Sequence, residues 1–228
     1  MNFVKKYLFF IILFFSTYSH AALITMNEAE LDQIFSQPNF ANLPIDIRIS
    51  TATEIVFPSL LDISTDAEVA QLFNMHSGLS TVVNFYFIDT ISACGGFIST
   101  SIVGCGEFPG NDFVVESSFA AGSYGSELLA HELGHNLGLD HLSGSYLMNP
   151  SLNHQTTLTS TEVATLRLSP LVQNDGQSYW ININPVLIVA QATQQVPEPS
   201  TVFLLILASF LLILFKPTSI QRISAKLK

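Results

Sequence analysis

The chain is 228 residues long, 48% of them apolar, and carries 8 Lys and Arg against 18 Asp and Glu, a formal net charge of −10. Between residues 22 and 195 only Arg48 and Arg167 are basic, while every acid except Glu198 falls there, so that body holds 2 basic against 17 acidic residues, a net of −15. Such a surface repels phosphate backbones and excludes nucleic acid as a partner, and its length suffices for one domain with a sizeable core.

Residues 1–21 read as a secretory signal peptide. Lys5 and Lys6 supply the positive start, residues 7–15 an apolar run, and Ser19 and Ala21 small side chains for cleavage after Ala21 or Ala22. Residues 27–35 form a short helical candidate with Glu28, Glu30 and Asp32 in its first turns. Ile45-Asp46-Ile47-Arg48-Ile49 alternates strictly and predicts a strand, resumed at 54–57. A helix is expected over 65–75, with Ser64 or Thr65 as N-cap and Glu68 behind it. Residues 82–88 are apolar enough for a central strand. Further strands are expected at 97–103 and 112–117, separated by turns at Gly104-Cys105-Gly106 and Pro109-Gly110-Asn111. Cys94 and Cys105 lack C-x-x-C spacing, which argues against a zinc or redox pair. On the exported side they are expected to form a disulfide that contributes about 3 kcal/mol.

The chemistry concentrates in His131-Glu132-Leu133-Gly134-His135-Asn136-Leu137-Gly138-Leu139-Asp140-His141. On a helix His131 and His135 project from one face, one turn apart. Gly138 adopts positive φ at little cost, so it can end the helix and return His141 as a third ligand. Three neutral nitrogens leave a fourth position open for water, the arrangement of a catalytic zinc rather than a structural one. Glu132, one residue beyond the first ligand, is placed to act as general base toward that water.

This stretch resembles the H-E-x-x-H-x-x-G-x-x-H signature of the metzincin zinc peptidases. Tyr146-Leu147-Met148-Asn149-Pro150 follows at the distance of their methionine turn, which makes Met148 the candidate for the apolar floor beneath the metal. The Met-x-Pro form is similar to the adamalysin and matrixin branches, and Gly134, Asn136 and Leu137 make the helix most similar to the adamalysins, although Leu142 stands where adamalysins carry aspartate. The resemblance implies an α+β, two-subdomain zincin fold. A mixed twisted sheet and an active-site helix would lie above the cleft, an edge strand within residues 94–108 would line it, and a small helical C-terminal subdomain would lie below.

Thr159-Ser160-Thr161-Glu162 is a capping box that opens a helix through about Leu168, and residues 179–183 suggest one more short strand. His76 is expected to cap the second helix or to be solvated, and His154 could border a specificity pocket. Val196-Pro197-Glu198-Pro199-Ser200 precedes an apolar run over 201–215 and then Lys216, Arg222, Lys226 and Lys228. As a helix that run spans roughly 22 Å, a marginal membrane span. The order resembles the PEP-CTERM sorting signal of exopolysaccharide-producing Gram-negative bacteria, which implies an exosortase-type processing enzyme as partner. A plain C-terminal membrane anchor is the alternative.

The expected organisation is a signal peptide at 1–21, a catalytic domain at 22–185, a linker at 186–196 and a sorting signal at 197–228. The expected function is a zinc endopeptidase acting on peptide or protein substrates. It would be exported to the cell surface or extracellular matrix and transiently anchored in the inner membrane. A zinc-binding surface protein with weak or no catalysis is the alternative.

Overall fold

The computed structural model describes residues 26–191. The first helix, α1 (Glu28–Ile34), starts at Asn27, whose side chain accepts from the Glu30 N–H. It buries Leu31 and Ile34 and lies along β1 (Ile45–Ile49). Asp32 accepts the Ile47 N–H at 2.8 Å and Glu28 the Ile49 N–H at 3.0 Å. These carboxylates occupy ladder donors that an outer strand would leave open to another chain.

After β2 (Thr53–Val56) and β3 (Asp62–Ile63), α2 (Asp66–Phe73) opens on a complete Thr65–Glu68 capping box. The next strand, β4 (Val82–Ile88), is buried at every position after Val82. Its near-continuous apolar run follows from having both faces covered. Val83, Phe85 and Phe87 join the cluster formed with α1, while Tyr86 and Ile88 join a second cluster with Leu60, Ile63 and Leu72. Short strands β5 (Thr90–Ile91), β6 (Ala93–Cys94) and β7 (Phe97–Ile98) lead to β8 (Gly104–Gly106), which pairs antiparallel with β9 (Asp112–Glu116). A disulfide joins Cys94 to Cys105, tying β6 to β8.

Two expectations change here. Residues 97–103 do not form one strand, because β7 stops at Ile98. Gly104-Cys105-Gly106, expected as a turn, is the outer strand of the sheet. Its glycines are there for space rather than for turning, as the site shows.

Beyond β9 come α3 (Ser117–Ala120), α4 (Gly125–Asn136) and α5 (Ser160–Leu168), the last on a complete Thr159–Glu162 capping box. The chain then returns to the sheet through β10 (Gln173–Asn174) and β11 (Tyr179–Val189). The path is β1-β11-β4-β9-β8, so the last strand is inserted between β1 and β4 and runs parallel to both. Its far half also pairs with β2, from Val186 opposite Thr53 to Val189 opposite Val56. Pro185 falls where pairing passes from β1 to β2, so its missing N–H interrupts no ladder on that side.

The fold is therefore mixed α and β, with a mixed sheet, but its strands do not all precede the histidine-bearing helix. Residues 186–189, expected in a linker, belong to an interior strand. His76 is neither cap nor solvated. Its Nδ1 lies 3.0 Å from the Asp112 carboxylate, in a network that Asn84 extends to Asn184 of β11. Among the described residues no helix is long and apolar enough to cross a membrane. The signal peptide at 1–21 and the sorting signal at 197–228 lie outside the described residues.

Candidate metal centre

Three histidines converge at the end of α4. The helix closes on Gly138 at φ 93°, whose N–H reaches the His135 carbonyl at 2.9 Å, while the Leu139 N–H reaches the Gly134 carbonyl at 2.9 Å. This paired closure satisfies the last carbonyls and reverses the chain. His141 is thereby returned to the helix, its ring centroid 5.3 Å from that of His131 and 4.7 Å from that of His135. One ring nitrogen from each of the three lies within 4.8 Å of the others. His135 Nε2 and His141 Nε2 are 3.2 Å apart. Two nitrogens on one tetrahedral ion stand roughly 3.3 Å apart, so this spacing could hold a metal ion.

The second nitrogens orient the rings. His131 Nδ1 lies 2.8 Å from the Leu147 carbonyl and His135 Nδ1 2.8 Å from the Leu139 carbonyl. A carbonyl only accepts, so each Nδ1 carries the proton and each Nε2 keeps its lone pair for the centre. Burial pushes His131 down to about 4, reinforced by the neighbouring imidazoles and opposed by the Leu147 carbonyl. Burial also lowers His135. Both rings are thus neutral near pH 7, the protonation state of a metal ligand.

Glu132 is 6% exposed and lies against β8. A Cβ on Gly104 would collide with Glu132 Oε1, and one on Gly106 would lie 3.0 Å from the Glu132 carbonyl oxygen. Only a strand face without side chains can approach the helix this closely, which explains the glycines on either side of Cys105. Burial pushes the Glu132 carboxyl up to about 8, partly offset by the Gly106 N–H. A cation held by the adjacent imidazoles would draw it back toward the ionised form.

Met148 is fully buried and packs onto α4 at Gly134, where an added Cβ would lie 2.5 Å from its sulfur. The same turn supplies the Leu147 carbonyl that holds His131. Gly134→Ala should therefore displace Met148 and cost about 1–3 kcal/mol through overpacking, against about 0.5–1 kcal/mol that alanine gains over glycine in a helix interior, for a net loss of roughly 1 kcal/mol. Thermal melts of the metal-free protein check this; an unchanged Tm would mean that the floor yields freely.

Asn136, a residue of the histidine motif, also has a structural part: 1% exposed, it donates to the Asp112 carbonyl at 2.9 Å and the Glu107 carbonyl at 3.1 Å, which anchors the helix end to the β8–β9 turn. Its acceptors are remote in the chain, so no local pattern announces that anchoring. His154 does not line the cleft; it stacks on Tyr124, with ring centroids 3.9 Å apart at 13°. Tyr124 in turn borders a cleft of about 760 Å³ that contains His131, Glu132, His135 and His141 and is walled by Phe108, Phe119, Leu128 and Leu152. The Cys94–Cys105 bridge sits on its rim. The cleft is open, largely apolar and has no Lys or Arg in its lining. No protein family, curated protein or solved structure gives a significant match to this chain.

Proposed function

We propose that this chain is a zinc-dependent endopeptidase of the metzincin kind, exported and held at the cell surface or in the extracellular matrix. The observation that carries the reading is the convergence of three imidazole nitrogens beside a buried glutamate at an open cleft. Three imidazoles suit zinc better than the hard, oxygen-seeking cations. When bound there, zinc supplies Lewis acidity toward a carbonyl and makes water a nucleophile near neutral pH.

The chain's own groups do the rest. His131, His135 and His141 hold the ion, with the first two fixed by backbone carbonyls. Glu132 takes the proton from the attacking water and passes it to the leaving amine. Along the rim β8 pairs with β9 on one side only among the described residues, and its other edge can accept an extended peptide by strand addition. Met148 supports the centre from below without ligating it. The substrate is an extended peptide or protein segment, and the C-terminal signal would be processed by an exosortase-type enzyme.

Unfolded casein incubated with the purified protein, with and without a zinc chelator, tests the reading. Elemental analysis should find one zinc per chain, and cleavage should stop on chelation and return with added zinc. One zinc per chain without any cleavage would identify instead a zinc-binding surface protein. Absence of zinc after supplementation would overturn both.

A further inference from the structure

Just before the ligands, α4 buries a second carboxylate. Glu127 sits one helical turn ahead of His131, is 5% exposed, and forms no ion pair among the described residues. It is bound instead by backbone. One carboxylate oxygen accepts the Asn153 N–H at 2.7 Å and the other the His154 N–H at 2.9 Å. The two N–H groups follow directly on residues 149–152, which form part of the cleft wall.

Two further ties hold the same loop. Asn149 and Asn153 both donate to the Gly144 carbonyl, at 2.7 and 3.2 Å, joining the wall to the segment after His141. His154 is held at φ 60°, a conformation uncommon for a residue with a side chain. That backbone turns its ring flat against Tyr124, on the side away from the cleft. Tyr124, the residue that caps α4, Leu128 within it, and Pro150 and Leu152 from the wall all line the cleft that contains His131, so both segments bring apolar side chains to it.

We infer that Glu127 is a positioning residue that pins the wall to the ligand-bearing helix and so sets the width of this space, selecting substrates with a bulky apolar side chain there. The inference rests on the peptidase reading for its substrate, but the clamp itself does not. A carboxylate is suited to the role because it accepts two N–H donors at once and has no proton to misplace. A glutamine of nearly the same shape turns an NH2 group toward one of those donors and leaves a part-buried N–H without its acceptor.

The test uses the full-length protein and E127Q. Peptide pairs that differ only in Leu or Phe against Ala beside the scissile bond give the ratio of kcat/KM, and elemental analysis gives the zinc content. E127Q should keep one zinc per chain and lose on the order of tenfold in that ratio, mainly through KM for the bulky member. A general loss of structure would instead lower kcat and zinc together. Hydrogen exchange of the amides at 149 and 151–155 provides the readout independent of catalysis. In E127Q they should lose protection while those of α4 keep theirs. If the wild-type protein cleaves nothing, the peptidase reading fails, and the exchange pattern still decides the clamp. Unchanged exchange at 153 and 154, or an unchanged Leu-to-Ala ratio in an active E127Q, overturns the inference.

Discussion

Glu132→Gln should leave one zinc per chain, an unchanged fold and hydrolysis reduced by on the order of 10²- to 10⁴-fold. Glutamine is close in volume to glutamate, so it still fits against the side-chain-free surface of β8 where Gly104 and Gly106 admit the native residue. It cannot take a proton from water. The loss should appear in kcat rather than KM, because the group acts on the reacting proton and not on binding. A steady-state comparison with matched zinc content checks the outcome. Cleavage within tenfold of wild type would remove Glu132 as the base and with it the proposed reaction.

A stop codon after Val172 should abolish folding, although every residue of the histidine motif would remain. The deleted segment contains Ile181, Ile183, Val186 and Ile188, all buried, and full burial of such side chains stabilises by roughly 1.5–3 kcal/mol each. Their sum is comparable with the 5–15 kcal/mol net stability of a typical domain. The removal also strips β1 and β4 of their shared partner. A chain ending after Gln191 should melt cooperatively and bind metal, while one ending after Pro185, the expected domain boundary, should melt at lower temperature because Val186 and Ile188 are lost. Circular dichroism melts of the three chains distinguish these results. A cooperative transition in the shortest would show that the inserted strand is dispensable.

Where local rules act alone, they were legible. Alternation at residues 45–49 became β1, the apolar run at 82–88 became the interior strand β4, and two Thr–x–x–Glu boxes opened α2 and α5. Each depends on neighbours within a few residues, so the pattern and its cause lie in the same window. Gly104-Cys105-Gly106 misled because glycine has two uses. It permits turning and it permits close approach, and only the proximity of Glu132 chooses between them. His76 misled similarly, since its partner Asp112 is distant in the chain and joins it only when β9 pairs with β4. Residues 186–189 were expected in a linker, yet they continue β11, because β2 and β4, both remote in the chain, flank them and Val186 and Ile188 enter the core.

By itself the sequence determined the donor set: which imidazoles could meet, that a glycine must reverse the chain before the third, and that a carboxylate would lie beside them. These follow from helical period and from positive φ, which are properties of a few consecutive residues. The tertiary structure alone decided that the final strand lies between the first and the fourth, that Glu132 packs against the two glycines of β8, and that Glu127 accepts the Asn153 and His154 N–H groups. Those depend on contacts between segments remote in the chain, where packing and backbone hydrogen bonding, not local propensity, select the neighbour.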